Sequence, residues 1–385
     1  MSHFDDLETR SSDERHAAQL AALRALGGVT ADLRDLSDLS RLPVLRKSDL
    51  SARQAANPPF GGMHVGPVAH VFQSPGPIYE PGGTTHDWWR MGRFLHACGI
   101  GPSDVVQNCF GYHLTPAGHI FENGARAVGA RVLPAGTGQT DLQVRAARDI
   151  GCTAYAGTPD YLKVILDRAD ESGVDLSFTR AAVGGGALFP SLRKEYADRG
   201  IATLQCYATA DLGNVAYESP AMEGMILDEG VIVEIVRPGT GDPLPEGEVG
   251  EVVVTTLNPD YPLIRFATGD LSAMMPGVSP CGRTNGRIRG WMGRADQTAK
   301  IKGMFVRPEQ VAALVARHPE IRAARVVVDR EGEMDAMTVQ VTAEGGDEGA
   351  WAASIADLLK LKGRVERVDD LPNDGKVIDD RRDYG

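Results

Sequence analysis

Between residues 86 and 186, short apolar runs alternate with longer stretches in which apolar residues recur every three or four positions. "HDWWRMGRFLHACGI" predicts a helix ending near Gly99, "DVVQNCF" a buried strand, "AGHIFENGARAVGA" a helix and "RVLPAG" a strand. The order continues with "TDLQVRAARDIG" as helix, "TAYAG" as strand, "YLKVILDRADESG" as helix and "RAAVGGG" as strand. Strands separated by crossover helices pair in parallel, so this stretch predicts an α/β layered core. Upstream, Leu20, Leu23 and Leu26 sit at near-helical spacing before Gly27 and Gly28 break it, and residues to about 55 read as accessory helices.

Past residue 225 the period changes. "GVIVEIVRPGTGDPLPEGEVGEVVVTTL" holds two β-branched runs joined by a turn rich in Gly and Pro, which predicts an antiparallel β subdomain. After "GRADQTAKIKG" the chain reads helix ("PEQVAALVARHP"), strand ("ARVVVDR"), strand ("AMTVQVTAE"), helix ("GAWAASIADLLKLK") and strand ("RVERVDDL"), a small α+β domain. The expected division is a large domain over 1–295 and a small one over 296–385, joined near Asp296. Neither an internal repeat nor a low-complexity tract is visible.

Composition narrows the partners. With 385 residues the chain is too long for one ordinary core. No apolar run approaches the roughly 18 residues of a membrane span, and the polar, acidic "MSHFDDLETRSSDER" predicts a cytoplasmic protein without a secretory signal. Forty basic against fifty-two acidic residues give a net charge of −12, which argues against nucleic acid and anionic membranes as partners. The five cysteines are widely spaced with no C-x-x-C pair, so they read as buried thiols.

Three segments carry candidate chemistry: "YATADLGNVAYES" (207–219), "YPLIRFATGDLS" (261–272), and "GRADQTAKIKG" (293–303) with the late "LPNDGK" (371–376). Alone, each has a bland reading: Thr268-Gly269-Asp270 as a turn closing a strand, "VGGG" as a tight strand exit, Lys376 as a solvated lysine. Together, in this order and spacing, they resemble the AMP-forming adenylating enzymes, most closely the phenylacetate–CoA ligase branch. That pattern runs Y-G-x-T-E, then P-L-I/L-R-Y/F-x-T-G-D, then G-R-x-D-x-x-x-K-x-x-G, then a C-terminal G-K. Pro262, Leu263, Ile264, Arg265, Thr268, Gly269 and Asp270 meet the second; Gly293, Arg294, Asp296, Lys300 and Gly303 meet the third. "RLPVLRKSDL" and "AGTPDYLKVIL" (156–166) also look like that branch, so the resemblance covers nearly the whole chain.

The resemblance implies a large adenylate-binding domain with a small mobile C-terminal cap, and ATP or AMP, Mg²⁺ and coenzyme A as cofactors beside a small carboxylate substrate. A homodimer is left open. Asp270 would accept hydrogen bonds from the ribose hydroxyls. Gly184, Gly185 and Gly186 would lie against adenine with Tyr207 on its other face, next to Ala208 and Thr209. Arg294 would reach the nucleotide, Asp296 would be the hinge, and Lys376 would enter the cleft to neutralise charge as pyrophosphate leaves. Asp211, standing where the family has glutamate, would be a catalytic acid and hold Mg²⁺. Phe110, Tyr112 and His113, with Gly157, would wall an acyl pocket, and His113 is a catalytic candidate or equally a core or helix-entry histidine. His119 reads as helix surface, and Trp88, Trp89 and Trp291 as core or interdomain packing.

One stretch departs from the family. Where the pattern has S-S-G-T-T-G-K-P, this chain reads "SPGPIYEP": Ser74, Gly76 and Pro81 are kept, and the lysine has become Glu80. Ser74 and Gly76 are retained candidates for phosphate contact. A like-charge contact at roughly 4 Å and an effective dielectric near 20 costs about 4 kcal/mol, enough to cripple triphosphate binding unless Glu80 points away or holds Mg²⁺. A zinc cluster that some relatives carry is reduced to Ser219, Ile226, Ser279 and Cys281, which implies no structural zinc. The main reading is an aryl- or arylacetate-activating CoA ligase. The alternatives are a regulatory relative that binds AMP, acyl-adenylate or acyl-CoA, or an enzyme that uses a pre-formed adenylate. Lys376 and the complete hinge motif favour the ligase.

Overall fold

Val105–Asn108 and Ala154–Gly157, buried at every position, are central strands of a parallel sheet in the computed structural model. Continuous apolar runs of this length suit strands covered by helices on both faces. The structure describes Phe4 and residues 10–63, 65–74, 77–295, 297, 299–301, 304–331 and 334–382. By its contacts the chain divides into two units: Met1–Val233, Val254–Phe266 and Met275–Gly290 form one, and Glu234–Val253, Ala267–Met274 and Trp291–Gly385 the other.

In the first unit the parallel strands run in the order Arg131–Pro134, Val105–Asn108, Ala154–Gly157, Arg180–Val183 and Ala202–Thr209. Gly213–Glu218, Met225–Leu227 and Arg287–Ile288 extend the sheet antiparallel. The helices Ala117–Ala127, Thr140–Ile150, Pro159–Glu171 and Pro190–Asp198 supply the crossovers. One core gathers Val105, Val144, Leu162, Ile165, Val183 and Tyr196. Ser12–Ala25 and Lys47–Ala56 are the accessory helices.

Two expectations are corrected. The helix expected from His86 forms only over Met91–Ala97, because Asp87 turns at φ 47° and its carboxylate accepts the Gly92 N–H at 3.0 Å. Trp88 and Trp89 are buried there, edge to face at 5.2 Å. The stretch 71–83, read as a loop, is in its described part an antiparallel hairpin of Val68–Ser74 and Ile78–Gly83, with Ser74 opposite Ile78 and Phe72 opposite Glu80. Alternation drives it: Phe72, Ser74, Ile78 and Glu80 are all buried. Pro75 and Gly76, at its tip, lie outside the described residues.

The second unit is built on Ile321–Glu331 and Met334–Ala343, paired antiparallel. Arg364–Arg367 and Ile378–Asp380 flank them in parallel. The last strand is three residues long, was not anticipated, and begins two residues after Lys376. Pro308–Arg317 and Glu348–Leu359 close a core of Val326, Val328, Val339, Trp351 and Ile355. Asp270, Arg294 and Lys376 all belong to this unit. Among the described residues, no helix is long and apolar enough to cross a membrane.

Candidate active site

Asp270, in the second unit, lies on the strand Phe266–Ser272. Its N–H donates to Thr268 Oγ1 at 3.1 Å, and that hydroxyl donates to the carbonyl of Val252 at 3.0 Å. The segment 291–295 is laid along this strand by hydrogen bonds from Leu271 N to Gly293 O, Met292 N to Leu271 O and Ala295 N to Gly269 O. Arg294 thereby donates Nη1 to Asp270 Oδ1 at 2.9 Å. Gly269 makes room: at φ +74°, a Cβ here would come within 2.7 Å of the guanidinium. Trp291, expected in core or interdomain packing, is not in the core of its unit: the residue is 55% exposed, and its indole N–H donates to the same Oδ1 at 3.1 Å.

Lys376 is exposed, with Nζ on Asp379 Oδ1 at 2.9 Å. Arg381 donates to the other oxygen of Asp379 at 2.8 Å. Burial alone would raise this carboxyl, but the hydrogen bonds from Lys376 and Arg381 hold it below its ordinary value. Arg294 and Lys376 both line one cleft of about 260 Å³, with Leu271, Met292 and Gln297. The hinge candidate Asp296 lies outside the described residues.

In the first unit the glycines Gly184, Gly185 and Gly186 follow the buried strand Arg180–Val183. A Cβ on Gly184 would meet Cys206 Sγ at 2.9 Å, and one on Gly185, at φ +69°, would lie 3.6 Å from Phe110. Phe110 is buried and stacked on Phe121 at 4.2 Å. Gly157 admits no side chain, since a Cβ would fall 2.1 Å from the Tyr155 hydroxyl. Tyr207, Ala208 and Thr209 end the strand Ala202–Thr209, with a register shift between Tyr207 and Ala208. Thr209 Oγ1 accepts the Leu212 N–H at 3.1 Å, tying off the turn that carries Asp211.

Tyr112 accepts a hydrogen bond from Asn108 Nδ2 at 2.7 Å, and burial pushes its hydroxyl pKa up. Its ring meets His119 edge-on at 5.2 Å. His119, expected on the helix surface, is half-buried: it packs on His70 at 4.7 Å and Phe72 at 5.2 Å, and burial, then the His70 charge, lower its pKa. The two-residue repeat of His70 and Phe72 on one strand face was the signal for this cluster. His113, by contrast, is exposed.

The hairpin and the turn at 209–213 meet around a buried acid. The Ser74 hydroxyl donates to Glu80 Oε1, and Glu80 is only 1% exposed. Burial first, then the negative charge of Asp211, push its carboxyl up to about 7. Glu80 is therefore turned inward rather than presented to solvent. Asp211 Oδ2 binds Lys47 Nζ at 3.1 Å. Asp211 Oδ1, Glu80 Oε2 and the Tyr261 hydroxyl are buried without hydrogen-bond partners among the described residues. Lys47, from "RLPVLRKSDL", was missed, since an ion pair 164 positions apart leaves no local signal. Among the described residues, no three His, Cys, Asp or Glu side chains gather as a metal cluster. Cys281 Sγ lies 2.9 Å from Ser279 Oγ.

Known proteins resemble this chain in sequence and in fold. The family described as AMP-binding enzyme matches residues 96–258. A phenylacetate–coenzyme A ligase of Aromatoleum evansii is 30% identical over 375 residues, 88% of this chain and 84% of that protein. One of Thermus thermophilus is 32% identical over 306 residues, 75% of this chain and 68% of that protein. A solved structure of 2-hydroxyisobutyryl-CoA ligase in the postadenylation state, in complex with R3-HIB-AMP, matches with a TM-score of 0.71 at 24% identity. The match covers 99% of this chain and 92% of that one, a likeness of fold. Identity at this level over this length shows that the chain belongs to the AMP-forming adenylating enzymes, in the phenylacetate–CoA ligase branch.

Proposed function

We propose that the protein is an acid–thiol ligase that activates an aryl or arylacetic carboxylate with ATP and passes the acyl group to coenzyme A. In the first half-reaction a carboxylate oxygen bonds to the α-phosphorus as the bond to pyrophosphate breaks, giving an acyl-adenylate. In the second, the coenzyme A sulfur loses its proton and bonds to the acyl carbon, and AMP leaves.

The observation that carries this reading is that Arg294 and Lys376 share one cleft while Arg294 holds Asp270, all within one unit of a chain of this family. Asp270 accepts the ribose hydroxyls, as its carboxylate already accepts the indole and guanidinium N–H groups. Lys376 leaves Asp379 to meet the negative charge that builds on the acid and α-phosphate, an interaction strongest in the transition state. Gly184 to Gly186 and Tyr207 to Thr209 take the adenine. Phe110, supported by Phe121, takes an aromatic acyl group, with Tyr112, His113 and Gly157 nearby in sequence or fold. Asp296 is the hinge between the half-reactions, and the setting is cytoplasmic.

Asp211 is the residue that would hold Mg²⁺, and its buried, unpartnered Oδ1 suits that task. Magnesium, when bound, offsets phosphate charge. Glu80, buried against Ser74, speaks against one of the grounds for a non-ligase relative, a carboxylate facing the triphosphate. The test is AMP formation that depends on both an aromatic acid and coenzyme A, with the thioester followed by its absorbance. AMP released without thioester would contradict transfer to coenzyme A.

A further inference from the structure

Lys376 sits on a turn that is fixed on both sides by one side chain. Gln297 Oε1 accepts the N–H groups of Val377 at 2.5 Å and Ile378 at 2.7 Å. On the other side, Gln297 Nε2 donates to the carbonyl of Gly375 at 3.0 Å. The amide thus uses both its donor and its acceptor on the residues that bracket the lysine. Gln297 is itself placed by its backbone, whose N–H donates to Ala295 O at 2.8 Å, and it follows directly on the hinge candidate Asp296.

The rest of the turn is built to receive this clamp. Gly375 adopts φ +70°, and a Cβ there would lie 2.7 Å from Val249 Cγ1 and 3.2 Å from Leu271 Cδ1, so the turn is pressed against the strand of Asp270. Buried Arg325 donates to Asp374 and to Pro372 O at 3.1 Å, and Asp374 Oδ1 accepts the Lys376 N–H at 3.0 Å. Beyond the lysine, Ile378 pairs with Val326 in the sheet. Arg325 and the sheet hold the turn to the core of the unit. Gln297 alone among these ties it to the segment that carries Arg294.

We infer that Gln297 is a positioning residue for adenylation: its amide clamps Gly375, Val377 and Ile378, so that Lys376 is presented in one fixed pose. The inference rests on the role given to Lys376 above. It acts on the chemical step that uses the lysine, leaving substrate binding and the coenzyme A step alone. A misplacement near 1 Å at a reacting group lowers rate by about 100-fold.

The experiment separates the two half-reactions in Gln297→Met, Gln297→Glu and Lys376→Ala. Gln297→Met keeps shape and removes every side-chain hydrogen bond; Gln297→Glu keeps the acceptor and removes the donor. Adenylation, followed by acid-dependent pyrophosphate release, is expected to fall about 10- to 100-fold in kcat for Gln297→Met with KM for ATP and acid unchanged. Gln297→Glu falls less. Thioester formation from pre-formed acyl-adenylate stays within about twofold. If Lys376→Ala abolishes adenylation while both Gln297 variants adenylate normally, the clamp is overturned and the lysine's role stands. If Lys376→Ala adenylates normally, the underlying reading falls, and the clamp with it. Equal loss in both half-reactions would mark Gln297 as merely structural, as would loss confined to an unfolding Gln297→Met with Gln297→Glu at wild-type rate.

Discussion

Ser74 donates its hydroxyl to Glu80 across one face of the hairpin, and both side chains are buried. At the place where the family pattern has a lysine, the chain has a carboxyl whose charge is suppressed by its surroundings rather than displayed to phosphate.

That suppression makes stability depend on pH. The Glu80 carboxyl is raised from 4.5 to about 7, so between those values the folded protein binds more protons than the unfolded chain. Stability from this group is complete below the lower value, declines as pH rises through the window, and stays lower above it. Glu80→Gln keeps an acceptor for Ser74 and cannot ionise. It should match wild type near pH 4.5 and exceed it at pH 8 by up to roughly 3 kcal/mol, read from urea unfolding at each pH. A constant difference across the range would contradict the assignment.

Asp211 is the complementary case. Its Oδ2 rests on Lys47, whose side chain is 40% exposed while that of Asp211 is 1% exposed. Lys47→Met leaves a buried carboxylate without that cation and should destabilise the fold by roughly 1–3 kcal/mol, with Lys47→Arg recovering most of it. Denaturant midpoints at constant slope are the check.

Some of this was legible in the sequence and some was not, for physical reasons. Val105–Asn108, Ala154–Gly157 and Arg180–Val183 were visible because strands covered on both faces need unbroken apolar runs. The hairpin at 68–83 was hidden by its prolines and glycines, which signal a loop, while the alternation of Phe72, Ser74, Ile78 and Glu80 carried the strand signal. Asp270, Arg294 and Lys376 were singled out by motif. What the motif did not carry was their support: Trp291 on Asp270, Gln297 across the lysine turn, and the short strand Ile378–Asp380 that needs Ile321–Glu331 beside it to form. Such contacts arise from tertiary packing and leave no periodic trace.

Around Asp270, charge and geometry can be separated by substitution. Asp270→Asn keeps the shape and gives up the charged acceptor, so AMP affinity should fall about tenfold or more, measured by calorimetry. Trp291→Phe removes one donor to Oδ1 and leaves Arg294 in place, so its effect should stay within a fewfold. Equal losses for the two would mean that Asp270 does not meet the ribose.

Exchange of labelled pyrophosphate into ATP, driven by a panel of aromatic acids, bears most directly on the central claim. Wild type should show exchange that depends on at least one aryl or arylacetic acid and needs no coenzyme A, and Lys376→Ala should lose it while still binding AMP. No acid-dependent exchange with any member of the panel, or undiminished exchange in Lys376→Ala, would contradict the account.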